Sequence, residues 1–181
     1  TGILMRYGFD GPRKGIWKSK ELEAAICKTF GTEYAQLTSS GTAALTTAMA
    51  ALGIGAGDEV IMPSFTFVAS FEAVLSMGAI PVLVDIDETL TLDPEAVKAA
   101  VTSKTKAIAF SHITCTNGMK LPVKEIAAFC RNKNIYSCVD GAQALGMFPI
   151  DLTDMGVDFY TSSGHKWLFG PKGTGVFYMN K

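Results

Sequence analysis

The sequence predicts an α/β fold, a three-layer sandwich with helices on both faces of a mostly parallel sheet. Short apolar runs alternate with helical patterns along nearly the whole chain, the signature of βαβ units. The composition, 48% hydrophobic and only 18% charged, is that of a chain with a large buried core. No internal repeat, low-complexity tract or charge block interrupts the alternation. At 181 residues the chain reads as one domain, 1–181, with 1–18 an N-terminal arm.

The elements follow in order. Ser19-Lys20-Glu21-Leu22-Glu23 opens an amphipathic helix over 19–30, with Ser19 as candidate N-cap. A short strand over 34–37 leads into a helix over 41–52, which Gly53 stops. A strand over 59–62 ends at Pro63, a helix over 66–77 closes at Gly78, and an apolar strand spans 81–85. Then come a helix over 94–101, a strand over 107–111, a helix over 122–132 with Pro122 at its start, and a strand over 135–139. Two last strands cover 159–161 and, after a glycine-rich turn, 173–179.

Composition also excludes functions. Sixteen Lys+Arg against 17 Asp+Glu leave a net charge of −1, so no basic field draws nucleic acid or an anionic membrane surface. The longest uncharged stretch, Tyr34 to Gly57, is broken by glycines, serines and threonines and predicts no membrane span. Four scattered cysteines without a CxxC pair read as reduced thiols, which predicts a cytoplasmic protein. His112 and His165 have no companions at metal-ligand spacing, so no metal is expected, and His112 reads as a satisfied strand-end histidine. The low charge and mean hydropathy of +0.25 predict a missing partner surface, either a homodimer or a partner chain.

In parallel sheets ligands bind beyond the carboxyl ends of the strands, so the strand-to-helix loops are the informative places. Thr38-Ser39-Ser40-Gly41-Thr42 turns from a strand into a helix. Glycine lets the backbone approach an anion there, and the free amides at the helix start form a phosphate cradle. Val139-Asp140-Gly141-Ala142-Gln143 places Asp140 where a buried strand emerges beside two small residues. A carboxylate in that position needs a cation or a strong donor, and a protonated pyridine nitrogen suits it. Ser162-Ser163-Gly164-His165-Lys166, before Trp167 and Gly170-Pro171-Lys172-Gly173, presents a lysine among small and aromatic neighbours. Partial desolvation lowers an amine's pKa and makes it nucleophilic. A phosphate site, a carboxylate for a ring nitrogen and a reactive amine together match pyridoxal 5′-phosphate.

The chain resembles the large domain of fold-type I pyridoxal-phosphate enzymes. Ser40-Gly41-Thr42-Ala43-Ala44-Leu45, Gly57-Asp58-Glu59-Val60-Ile61-Met62-Pro63 and Gly78-Ala79-Ile80-Pro81-Val82 resemble the DegT-type sugar aminotransferases. Ser163-Gly164-His165-Lys166 with Gly170-Pro171-Lys172-Gly173 resembles the class V aminotransferases, which include cysteine desulfurases and epimerases. The resemblance implies that Lys166 forms the Schiff base and shuttles the α-proton, and that Asp140 pairs with the pyridinium nitrogen. It places Gln143 near the phenolic oxygen, and Gly41, Thr42, Ser163 and His165 around the phosphate. Phe67 matches the aromatic that stacks on the ring, with a core helix residue as the competing reading. Thr114 and Asn117 are candidates for the ring edge.

The expected reaction is transfer of an amino group between an amino acid and a keto acid or keto sugar. Desulfurase or epimerase chemistry and a non-catalytic cofactor-binding fragment are the alternatives. Desulfuration needs a reactive cysteine on a mobile loop, and none of the four cysteines is expected to be so placed, since Cys27, Cys130 and Cys138 fall in helix or strand patterns. Enzymes of this kind usually carry a further small C-terminal domain, which supplies the arginine for the substrate carboxylate. None of Arg6, Arg13 and Arg131 lies in a predicted site loop. A remote rival is the DxDxT pattern Asp85-Ile86-Asp87-Glu88-Thr89, which in some phosphatases holds an aspartyl nucleophile.

Overall fold

The computed structural model describes residues 17–180. The elements run α1 (Lys18–Phe30), β1 (Gln36–Thr38), α2 (Gly41–Ala51), β2 (Glu59–Pro63), α3 (Val68–Ser76), β3 (Ile80–Val84) and α4 (Pro94–Ala100). They continue with β4 (Thr105–Ser111), α5 (Val123–Lys133), β5 (Tyr136–Asp140), α6 (Leu152–Met155), β6 (Phe159–Ser163) and β7 (Gly175–Met179). The strands form one seven-stranded sheet in the order β1-β7-β6-β5-β4-β2-β3. β2 through β6 are mutually parallel, and β7 lies antiparallel to both β6 and β1.

Each face of the sheet buries its own apolar cluster, which gives the three layers. On one face Leu45, Ala48 and Met49 of α2 and Ala73 and Val74 of α3 pack on Val60, Met62, Ala109 and Cys138. The small residues of α2 let its axis approach the strands closely. On the other face Val97 of α4, Ala127 and Cys130 of α5 and Leu152 of α6 cover Ile61, Ile108, Val139 and Tyr160.

The chain order sets the site. β3 lies outside β2, and the chain then crosses back to place β4 on the other side of β2. Successive connections therefore diverge between β2 and β4, and a crevice opens above the carboxyl ends of those strands. The two sheet edges differ. At β3, Ile80 donates its amide to Asp58 and Val84 accepts from Ser64, each at 2.9 Å, so the intervening Pro81 faces outward. At β1 the Leu37 amide donates to the Glu23 carboxylate of α1 at 3.1 Å.

Three expectations need correction, and one element was not expected. Ser19 does not cap α1, which begins at Lys18 behind Trp17 with no side-chain cap bond. Lys18 is thus helical and outside the proposed arm, whose residues 1–16 lie outside the described residues. The helix expected from 66 starts only at Val68, with Phe67 as its extended N-cap at φ −70° and ψ 134°. The Ser64 amide, bonded sideways to Val84, keeps the chain extended past the end of β2. The short helix α6, capped by Asp151 through the Asp154 amide, was not anticipated.

Candidate active site

The crevice at the switch point is lined from several strand ends. A cavity of about 120 Å³ is bounded by Phe67 after β2, Ser111 and Cys115 after β4, Asp140 and Gln143 after β5, and Lys166 after β6. An adjoining cavity of about 190 Å³ shares Phe67, Ser111 and Cys115 and extends beneath Phe65, Leu92 and Phe110.

At the start of α2, Ser40 caps the helix by accepting the Ala43 amide at 3.0 Å, and its carbonyl accepts from Ala44. The amides of Gly41 and Thr42 have no helical acceptor and sit at the positive end of the helix dipole. Ser163, at the end of β6, closes on the same spot. A Cβ on Gly41 would stand 2.5 Å from Ser163 Oγ, so only glycine leaves the hydroxyl room beside the helix start. Gly41, Thr42 and Ser163 are therefore together. His165 is exposed on the turn that follows.

Asp140 ends β5. Its Oδ1 accepts from the Ala142 amide at 2.9 Å, which aims the carboxyl at the cavity. Burial raises its pKa above the ordinary carboxylate range, while the Ala142 bond and the charge of Lys166 act in the opposite direction. Lys166 is half-buried, with Nζ 5.5 Å from the centroid of the Phe67 ring, within cation–π range. Phe67 is 54% exposed, so the competing reading of a core residue is overturned. As an extended cap rather than a helical residue, it projects over the crevice instead of into the sheet. Gln143 accepts from Trp167 Nε1 at 3.0 Å, which ties the Asp140 loop to the Lys166 turn.

That turn is built by close backbone approach. Gly164 donates to Thr174 at 2.9 Å and Gly170 donates to Gly164 at 2.8 Å. A Cβ on Gly170 would lie 2.8 Å from the Gly164 carbonyl, so the tight loop presenting Lys166 requires both glycines.

Other candidates divide. Thr114 lines the larger cavity, but Asn117 pairs with Thr114 and donates to the Thr89 carbonyl at 2.8 Å, bracing the neighbouring loop. In the DxDxT segment, Asp87 accepts from the Thr89 amide and hydroxyl, which makes it a turn residue. Cys115 was missed: it is exposed and lines both cavities. Its loop position carried no periodic signal, so only the chain crossing brings it to the crevice. The expectation of a satisfied His112 is met only in part: it is fully buried, and its Nε2 has no hydrogen-bond partner among the described residues.

Residues 15–150 match the DegT/DnrJ/EryC1/StrS aminotransferase family. The chain belongs to that family. DegT-type aminotransferases use pyridoxal phosphate. The matched segment contains Gly41, Thr42, Phe67, Asp140 and Gln143, whereas Ser163, His165 and Lys166 lie beyond it. Among solved structures, NtdA from Bacillus subtilis with bound cofactor PMP is 29% identical, with a TM-score of 0.77 over 92% of this chain and 38% of NtdA. A C-DES mutant with glycine covalently linked to its PLP cofactor is 26% identical, with a TM-score of 0.78 over 88% of this chain and 45% of C-DES. The cysteine desulfurase CsdA from Escherichia coli shares the fold at 22% identity, with a TM-score of 0.75 over 97% of this chain and 46% of CsdA. This DegT-type chain thus spans less than half the length of each, and its fold is that of the fold-type I pyridoxal-phosphate enzymes.

Proposed function

We propose that the chain is the cofactor-binding domain of a pyridoxal-phosphate-dependent aminotransferase, which moves an amino group between an amino acid and a keto acid or keto sugar. The observation that carries this is the single cavity lined by Asp140, Phe67 and Lys166. The donor set suits the cofactor: an anion cradle at one end, a buried carboxylate beside the cavity and an amine facing an aromatic ring.

In this reading the Gly41 and Thr42 amides and the Ser163 hydroxyl hold the phosphate, with His165 adding a donor from the turn. Pyridoxal phosphate, when bound, supplies an electron sink for the bond broken at the substrate α-carbon. Asp140 keeps a proton on the ring nitrogen, since an ionised carboxylate in a site poor in water is stabilised by that cation. Phe67 covers one face of the ring and excludes water. Gln143, oriented by Trp167, faces the phenolic oxygen. Lys166 Nζ would hold the cofactor covalently at rest; once the substrate amine displaces it, the freed amine would carry the α-proton as general base and return it as general acid.

The substrate carboxylate is anchored from elsewhere. Arg131, the one arginine among the described residues, donates to the Gly156 carbonyl at 2.8 Å behind α6. In this reading the anchoring cation comes from outside the described residues, and a homodimer or a partner chain is one such source.

The test is a titration of the full chain with pyridoxal phosphate. A visible band that Lys166→Ala abolishes is expected, and added amino acid should convert the band to that of the cofactor's amino form. Identical spectra for wild type and Lys166→Ala would end the proposal. Cys115, exposed beside the same cavity, favours desulfuration as a second reading. Sulfide release from cysteine that Cys115→Ser removes would select it, and wild type without sulfide release would dismiss it.

A further inference from the structure

Beneath the turn that carries Asp140 lies a buried polar pair that the chemistry above does not use. His112 is fully buried, and its Nδ1 hydrogen-bonds the Tyr160 hydroxyl at 2.9 Å. Tyr160 is 2% exposed within the apolar cluster of the sheet. Two polar side chains in such a place cost desolvation that a pair of apolar residues would avoid. The geometry above them suggests why they are there.

The ring of Tyr160 occupies the space where any side chain on Gly141 would go. A Cβ on Gly141 would stand 2.0 Å from Tyr160 Cε1 and 2.4 Å from its hydroxyl oxygen. On one side of the same turn, the His112 amide donates to the Asp140 carbonyl at 2.9 Å. On the other, the Gly141 amide donates to the Thr161 carbonyl at 2.7 Å. The peptide after Asp140 is thus held from β4 and from β6, and its underside rests on the Tyr160 ring. His112 in turn sets the direction of that ring. Phe148 meets the His112 ring edge-on at 5.3 Å, and Lys120 lies 4.5 Å from the Phe148 centroid. Burial, reinforced by the charge of Lys120, holds the imidazole down at about 4, so the pair is neutral at neutral pH.

We propose that His112 and Tyr160 are positioning residues for Asp140: by fixing the Tyr160 ring under Gly141 they set the direction in which the Asp140 carboxylate meets the cofactor's ring nitrogen. This rests on the reading of Asp140 given above.

The experiment measures the affinity of the full chain for pyridoxal phosphate from its visible band. Tyr160→Phe and His112→Leu are compared with wild type, each also in an Asp140→Asn background. Thermal unfolding of the ligand-free proteins is followed in parallel. Loss of the shared hydrogen bond is expected to weaken binding about tenfold when Asp140 is present and by less than about twofold when it is Asn. His112→Asn, whose amide reaches the position of Nδ1, is expected to retain the affinity. Equal losses in both backgrounds would show a packing role only and overturn the proposal, as would unchanged affinity in Tyr160→Phe. If Tyr160→Phe fails to fold, His112→Leu and His112→Asn carry the same comparison. Absence of any Lys166-dependent band in wild type would instead sink the reading of the site, and the positioning role with it.

Discussion

The carboxyl of Asp140 has a pKa raised chiefly by burial. A carboxyl raised above its unfolded value contributes stability at low pH that is lost as pH climbs through the folded pKa. Burial thus disfavours the charged form, and this cost to the ligand-free chain grows as pH rises. Asp140→Asn keeps an oxygen for the Ala142 amide and removes the charge. It is expected to raise the thermal midpoint of the ligand-free protein at pH 7 while weakening pyridoxal phosphate binding. Calorimetry with and without cofactor checks both, and a lowered midpoint would contradict the argument. The residue types of this site were legible in the sequence, because a carboxylate after a buried strand and a lysine in a glycine-rich turn each carry a local signal. The contacts among them were not. The Gln143–Trp167 bond and the His112–Tyr160 pair join residues far apart in the chain, and no spacing rule reports such pairs.

Between residue and molecule, elements meet where side chains are missing. Gly141 gives way to the Tyr160 ring, and Gly41 to Ser163. Gly141→Ala forces the ring or the turn aside, and a loss of about 3 kcal/mol is expected in urea unfolding at neutral pH. A loss below about 1 kcal/mol would mean that the ring moves freely, which would also weaken its proposed role as a support. The alternation of strands and helices was legible because each element is long enough to show its period. The predicted bounds failed where tertiary bonds overrode local preference. Ser64 holds the chain extended where the 66–77 pattern favoured helix, and Phe67 becomes a cap over the crevice. α6 is a single turn, too short to show a helical period. The antiparallel seat of β7 between β1 and β6 depends on pairing across most of the chain.

For the molecule as a whole, the buried imidazole links folding to pH. His112 lies at about 4 in the fold against an unfolded value of 6.5. The unfolded chain then binds more protons between those values, so stability present above 6.5 is lost as pH falls toward 4. The loss reaches at most about 3 kcal/mol. Urea midpoints measured across that window should decline less steeply in His112→Asn than in wild type, and parallel curves would refute the assignment. The described residues contain no helix long and apolar enough to cross a membrane.

The two rims of the sheet carry a further consequence. Pro81 turns toward solvent on β3 and has no amide hydrogen to offer, while the outward amide of Leu37 on β1 is already taken by Glu23. A stray strand from another molecule would find a gap in the ladder at one border and an occupied donor at the other. The protein can thus keep exposed Ile80 and Leu83 at its flank without inviting growth into fibrils.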